Sequence, residues 1–274
     1  CCPSCAPKSE RRWMTETTPL DLAHAAMEAA PEDAPARLRF YSVLADCELI
    51  LLLQDEPHGD APIAPMVHDL DGGRYVLAFD SEDRLAAFAE APVPYAALPG
   101  RVIAQQLAGQ GIGIGLNLGV APSAFLMPAD ATEWLANTLA QSRPAGTVDA
   151  VIEPCAQTLP EALLAALRDK ILRLAGHADR ALILGTGAGR HLLAFIAARP
   201  GAEDALAKAV AEARAFSGVE MPLDVAFLSP DDRRLPRLEA VAEVIPVPPA
   251  PKPDLREVPG AAPGMDPDRP PKLR

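Results

Sequence analysis

The fold is decided by two stretches of the sequence, DGGRYVLAFDSEDRL (residues 71–85) and GIGIGLNLG (residues 111–119). In the first stretch, a glycine turn leads into an apolar run that is typical of a β-strand, and Ser81 follows as the N-cap of a short helix. In the second stretch, glycines and Asn117 alternate with Ile and Leu, and this period of two predicts another strand. Most of the N-terminal half is predicted to cover this unit.

The residues around these stretches carry further patterns. Apolar residues at helical spacing predict helices over residues 19–30, 36–45, 84–91 and 101–108. Thr18 and Asp21 suit the start of the first helix, because a hydroxyl and a carboxylate both stabilise a helix N-terminus. Strands are predicted over residues 47–53, 63–70 and 74–79, the last two forming a hairpin around Gly72. Residues 92–99 contain three prolines and are interpreted as a stiff loop.

The glycine-rich strand has an unusual face. Because Gly113 and Gly115 have no side chains, one face of the strand is predicted to be bare, so that another backbone or helix can approach it closely. A short edge strand over residues 124–127 and a helix opened by a capping box at residues 130–133 are expected to complete this part.

A second set of elements follows after a gap. Another capping box, at residues 158–161, predicts a helix that ends at Gly176. Two strands, residues 181–184 and 191–197, are followed by a helix that ends at Gly218 and by a closing strand over residues 223–228. The glycines between the two strands are interpreted as a hairpin turn, since a dinucleotide-binding loop needs a different spacing and a helix after it.

These patterns predict an α+β (mixed α/β) fold with two small modules, each a mixed or antiparallel sheet packed with helices. The expected boundaries are 14–141 for the first module, 142–157 for the linker and 158–247 for the second module. Residues 1–13 are interpreted as a disordered leader or a mis-assigned start, although Cys2 and Cys5 have the spacing of a redox or metal pair. Residues 248–274 are proline-rich and predicted to be a disordered tail.

Composition excludes several classes of protein. A net charge of −12 argues against nucleic-acid binding, and the absence of a long apolar run argues against a membrane span. Five cysteines without a disulfide pattern favour a cytoplasmic location, and Cys47 is interpreted as a buried structural thiol. The histidines lack metal-ligand spacing, so no metal site is predicted. The sequence also lacks a G-x-S-x-G serine motif and shows no base beside Cys47, so no catalytic residue is predicted, and no cofactor is predicted either.

Residues 76–85 and 111–119, in this order and separation, resemble the SseB family of bacterial proteins, named for enhanced serine sensitivity. Residues 37–41 and 47–53 are similar to the opening helix and strand of that family. The second module resembles the second domain of the two-domain form in its layout. The resemblance implies two α/β modules and no established reaction.

Four residues are candidates for ligand binding: Asn117, Gly119, Asp80 and Ser81. Each also has a structural interpretation, because Asn and Gly favour turns, and Ser81 and the acids beside it favour a helix N-terminus.

Two functions remain open. The first is a non-catalytic protein-interaction or regulatory module linked to serine or amino-acid sensitivity, which binds an unknown protein partner or a second copy through sheet edges and the bare glycine face. The second is a small-ligand-binding protein or an enzyme of amino-acid metabolism. A deep pocket that combines Asn117, Asp80 and a histidine favours the second, whereas a flat apolar patch favours the first.

Overall fold

The computed structural model describes residues 17–56, 63–70, 72–89, 91–141, 155–156, 158–186 and 190–250. The predictions for residues 1–13, for the tail beyond residue 250 and for most of the linker lie outside these residues. The first module contains, in order, α1 (Pro19–Ala29), α2 (Ala34–Asp46), β1 (Glu48–Leu52), β2 (Val67–Leu70), β3 (Gly73–Phe79), α3 (Glu82–Ala89), β4 (Tyr95–Pro99), α4 (Gly100–Leu107), β5 (Ile112–Leu116), β6 (Phe125–Met127) and α5 (Ala129–Ala140). The second contains α6 (Glu161–Leu172), β7 (Arg180–Gly185), β8 (His191–Ile196), α7 (Glu203–Ser217), β9 (Leu223–Leu228), α8 (Leu235–Glu239) and β10 (Glu243–Pro246).

The first sheet is mixed and has the strand order β4-β1-β3-β5-β6, with β2 also paired to β3. β3 and β5 are parallel, whereas the other pairs are antiparallel. β2 and β3 form the predicted hairpin, and Gly72 in its turn has a φ of +76°, in the left-handed region that glycine occupies without strain. The second sheet, β10-β7-β8-β9, is also mixed, since only β8 and β9 run parallel. The α+β prediction is therefore confirmed.

Helices cover both faces of the first sheet. On one face, α1, α2, α4 and α5 bury Leu20, Phe40, Leu44, Ile103 and Leu135 against alternate residues of β1, β3 and β5. On the other face, Leu85 of α3 packs against a smaller apolar cluster from β1 and β3. Coverage on both faces explains why β1 reads as an almost continuous apolar run.

The second sheet is covered in the same way. α6 and α7 bury Leu163, Leu167, Leu206 and Val210 on one face, and α8 covers the other with Leu235 and Leu238. Phe216, near the end of α7, belongs to the core of the first module, so the two modules are packed together.

β4 was predicted as a loop, and this expectation is wrong. Tyr95–Pro99 pairs along its whole length with β1, and Pro99 lies opposite Glu48. Prolines lack the N–H that a central strand needs, but β4 is at the end of the strand order, where one side of the strand needs no ladder hydrogen bonds. The prolines therefore mark an edge strand.

The capping boxes predicted for α5 and α6 are also wrong. Pro128 and Pro160 are the N-cap residues, and neither helix has a side-chain cap hydrogen bond. The prolines fix the backbone in an extended conformation before the first turn, so each helix starts directly after its proline and neither Asp130 nor Thr158 is the N-cap residue.

α6 ends at Leu172, before Gly176, and the sequence analysis did not predict α8 or β10.

The expected close approach of another backbone to the glycine strand is confirmed at Gly113, but the glycine face is not bare. Tyr75 and Leu77 of β3 lie opposite Gly113 and Gly115 in the parallel register. A Cβ added at Gly113 would lie 2.7 Å from the Tyr75 ring and 2.3 Å from the Met127 carbonyl oxygen. Both glycines are buried, so side chains of this chain already occupy the space above them.

Within the described residues, none of the helices has the length and apolar character needed to cross a membrane.

Candidate functional site

The parallel strands β3 and β5 end at the same edge of the first sheet. Asp80 follows β3 directly, and Asn117 follows β5. The backbone N–H of Asp80 donates a hydrogen bond to Asn117 Oδ1 at 3.1 Å. Ligands often bind at the carboxyl ends of parallel strands, so this edge of the sheet is a candidate ligand site.

Arg84 lies at the centre of a buried polar network at this edge. It is one turn after Asp80 on α3 and donates to both of its carboxylate oxygens at 2.7 and 2.8 Å. The same guanidinium also donates to Asp21 at the start of α1. Arg84 is only 4% exposed and Asp21 only 6%, so the network joins α1 and α3 through a desolvated ion pair.

Thr18 and Asp21 form the N-terminal capping box of α1. Burial by itself raises the pKa of Asp21, but hydrogen bonds from Arg84, Ser123 and the Thr18 backbone, together with the charge of Arg84, lower that pKa to about 2. The Thr18 hydroxyl also donates to Asp80 at 2.7 Å. Asp21 is thus held ionised across the pH range in which proteins normally function.

Ser123 closes the network from the loop before β6. Its hydroxyl donates to Asp21 and accepts a hydrogen bond from Asn117 Nδ2 at 2.9 Å. Asn117 is fully buried and has a φ of +48°, a left-handed conformation that Asn adopts more readily than most residues. The two polar atoms of its side chain amide are therefore both bonded within the protein.

The structure brings together only some of the predicted site residues. Asn117 and Asp80 are in one network, and Ser81 caps α3 by accepting a hydrogen bond from the Arg84 N–H at 3.3 Å. Gly119 lies in the turn after Asn117 with a φ of +72° and takes no part in the network. A ligand role for these residues stays a prediction, and the observed contacts give three of them a structural role.

Sequence reasoning missed Arg84 and Ser123, and recognised Thr18 and Asp21 only as a helix start. The available signal was Arg84 four residues after Asp80 on a short helix, which is the spacing of an intrahelical ion pair. Nothing in the sequence connects Asp21 or Ser123 with this pair.

A second polar cluster lies at the junction of the modules. Asp46, at the end of α2, accepts hydrogen bonds from Arg101 of α4 and, at 2.8 Å, from Lys170 of α6. Glu212 of α7 accepts from the same two cations, at 2.8 Å in each case. Burial by itself lowers the pKa of Arg101, but Glu212 and Asp46 outweigh this effect and raise it. Arg173 completes the cluster at 3.0 Å from Asp46.

A cavity of about 320 Å³ opens beside this junction cluster. Its walls come from α2 and α6, and its floor includes Phe216 and Ser217 of α7. The lining contains six charged residues, three acidic and three basic: Asp33, Asp46, Asp169, Arg39, Lys170 and Arg173. Five of the ten other lining residues are alanines. Charged and apolar residues from both modules therefore line this space.

A cleft of similar volume, about 320 Å³, runs along α1 and α6 and shares Arg39, Asp169 and Arg173 with the cavity. Leu22 and Leu172 line this cleft and are 64% and 59% exposed. They are the most exposed of the large apolar side chains that the structure describes. We call this surface the leucine cleft.

Cys47 and His191 lie in surroundings that favour a structural role. Cys47 packs partly buried against the core of the first module, and burial raises the pKa of its thiol, which disfavours the nucleophilic thiolate. His191 is 4% exposed, neither ring nitrogen has a hydrogen-bond partner, and burial lowers its pKa. Within the described residues, no group of His, Cys, Asp and Glu is arranged to hold a metal ion.

The fold and these two clusters define a class: an α+β protein with two mixed sheets packed with helices, a buried ion network at the edge of the first sheet, and a cavity between α2 and α6. The family model described as the SseB protein N-terminal domain matches residues 22–134. This match confirms the resemblance to the SseB family for this part of the chain, which includes most of the first module. No curated protein and no solved structure matches the chain significantly. Assignment of the second module to the same family stays a prediction.

Proposed function

We propose that this protein is a regulatory module that binds a protein partner at the leucine cleft. The observation that carries the proposal is the exposure of Leu22 and Leu172, at 64% and 59%, on the two sides of one cleft. Leaving such side chains in water is unfavourable, and burying each one in an interface stabilises the complex by about 1.5–3 kcal/mol.

The surroundings of the two leucines support an interface. Arg39 and Asp169 form an exposed ion pair at 2.9 Å beside the cleft, and Arg173 lies on the same side. Protein interfaces commonly have an apolar centre and a charged rim that sets orientation and partner choice. The partner is therefore expected to present an apolar segment flanked by charges of both signs.

The link to serine or amino-acid sensitivity, the bacterial source and the cytoplasmic location are part of this proposal. They follow from the resemblance and the composition. The second candidate, binding of a small molecule, is favoured by the junction cavity.

The first experiment places a photo-crosslinking amino acid at position 22 in the living cell, where we expect it to trap a partner. The partner is then purified, and its affinity is measured for the wild type, Leu172→Asp and Val244→Asp. Val244 is a matched control, because it is 48% exposed but lies on β10 of the second sheet. We expect Leu172→Asp to weaken binding by at least about tenfold and Val244→Asp to leave it unchanged.

A second copy of this chain is one partner that the experiment can reveal. In that case sedimentation shows a dimer that Leu172→Asp dissociates. The proposal is wrong if the trapped partner binds both variants as well as it binds the wild type, or if position 22 traps nothing.

A further inference from the structure

The junction cluster carries an excess of positive charge. Arg101, Lys170 and Arg173 are three cations that share two carboxylates, those of Asp46 and Glu212. The cluster has a net charge of +1, and its carboxylates and Lys170 are buried. Arg173 contacts only one of these two carboxylates and its side chain is 37% exposed, so its guanidinium is able to donate hydrogen bonds to one further anion.

Hydrogen-bond donors for that anion are present. Lys170 has three N–H groups and uses two on Asp46 and Glu212, while its Nζ lies 5.7 Å from the centre of the Phe216 ring. Arg173 contacts Asp46 through Nη1 only, and within the described residues its other guanidinium nitrogens have no partner. Both residues line the junction cavity, and the Arg173 side chain is 37% exposed.

The other part of the cavity is apolar. The lining includes Ala36 and Val43 of α2, Ala162, Ala165 and Ala166 of α6, and Phe216 of α7. The volume of about 320 Å³ is at the lower end of the range for small-molecule pockets, about 300–1,000 Å³. The cavity thus suits a small molecule with one apolar part.

We propose that the junction cavity binds a small organic carboxylate, with its carboxylate group on Arg173 and Lys170 and its apolar body between α2 and α6 against Phe216. A guanidinium matches the geometry of a carboxylate with two parallel hydrogen bonds. The ligand contacts both modules, so its binding also strengthens their association.

The acidic residues of the lining argue for a single negative charge on the ligand. Asp33, Asp46 and Asp169 line the same cavity as the basic residues. A ligand with one negative charge balances the +1 charge of the junction cluster, whereas a phosphate group, with about −1.5 to −2 charges near neutral pH, exceeds it. This inference goes beyond the partner surface and is tested on the full chain alone, so it succeeds or fails independently of the proposed function.

Trp134 provides a direct signal of binding. Its ring centre lies 6.1 Å from that of Phe216, which is part of the cavity floor. The sequence contains two tryptophans, and Trp13→Phe leaves Trp134 as the single tryptophan, whose emission is excited selectively over that of the tyrosines. Phenylacetate is titrated as the probe, with phenylacetamide as its uncharged match and inorganic phosphate as an anion without an apolar body.

We expect phenylacetate to change the Trp134 fluorescence with a Kd of about 1 mM or below, and phenylacetamide and phosphate to bind at least about tenfold more weakly. Arg173→Gln should weaken phenylacetate binding by about tenfold or more. Arg168→Gln is the matched control, because Arg168 lies on the same helix but pairs with Glu243 at 2.7 Å. Ala165→Leu fills the cavity and should abolish binding while the protein still melts cooperatively.

The proposal is overturned if phenylacetate gives no response at about 1 mM in the folded wild type. Equal binding of the acid and the amide would rule out the carboxylate contact. Tighter binding of phosphate than of phenylacetate would show that the cavity selects another class of anion. Equal effects of Arg173→Gln and Arg168→Gln would show that the carboxylate does not bind at Arg173.

Discussion

Asp21 and Arg84 show what single residues contribute to this fold. Both are almost completely buried, and they form an ion pair that joins α1 to α3. A buried ion pair is often no more stabilising than an apolar pair of the same shape, but loss of one partner leaves a desolvated charge. The network therefore specifies how α1 docks, and its members are sensitive to replacement.

Asp21→Asn should destabilise the protein by about 2–4 kcal/mol at neutral pH, because Arg84 then has only the Asp80 carboxylate as its ionic partner. The pKa of Asp21 is lowered from 3.8 to about 2, so its ionised form stabilises the fold above pH 4. This contribution, about 2 kcal/mol, is lost as the pH falls from about 4 to 2. Urea unfolding of both proteins at a series of pH values measures the effect.

The difference in unfolding free energy between the wild type and Asp21→Asn should decrease across this acid range. A difference that stays constant between pH 5 and pH 2 would show that Asp21 does not titrate with the lowered pKa.

At the scale of the element, β5 depends on where its glycines lie. Gly113 faces the Met127 carbonyl oxygen and the Tyr75 ring, whereas Gly115 faces the ends of the Leu77 and Leu118 side chains. A backbone atom cannot move away without shifting β6, but a leucine side chain can change its rotamer. The two glycines thus have different tolerance for a methyl group.

Gly113→Ala should destabilise the protein by about 2–3 kcal/mol, and Gly115→Ala by about 1 kcal/mol, since overpacking is relieved more easily by a side chain than by backbone. Thermal unfolding of the two variants under identical conditions compares them. Equal destabilisation would show that β6 adapts to a side chain as easily as Leu77 does.

At the scale of the whole molecule, the junction cluster joins the modules. Arg101 and Asp46 come from the first module, and Lys170 and Glu212 from the second. Phe216 of α7 adds an apolar contact with the core of the first module. We expect the two modules to unfold in one cooperative transition because these contacts are buried.

Glu212→Gln should cost about 3–5 kcal/mol, because three cations then share the single carboxylate of Asp46. Calorimetry should show the single transition broadening or splitting into two. Glu239→Gln is the control, since Glu239 is 37% exposed and its pair with Arg180 is expected to contribute about 0–1 kcal/mol. A similar small effect for both variants would mean that the cluster does not couple the modules.

The sequence by itself determined the α+β class, the hairpin of β2 and β3, the strand β5 and the helix ends at Ser81 and Gly218, where the left-handed glycine is observed. These features depend on residues close together in the chain: alternation of apolar side chains, helix caps and glycine turns. The same local rules failed for β4, because an edge strand obtains its hydrogen bonds from a distant partner and tolerates prolines.

Only the tertiary structure decided the candidate sites. Asp21 and Arg84 are separated by 63 positions, and Lys170 and Asp46 by 124, so no local pattern connects them. Long-range ion pairs, cavities and exposed clefts form when whole elements pack, and packing depends on the shapes and charges of many residues together. The sequence therefore determined which elements form, whereas the packing of the two modules determined which surfaces are available for a partner or a ligand.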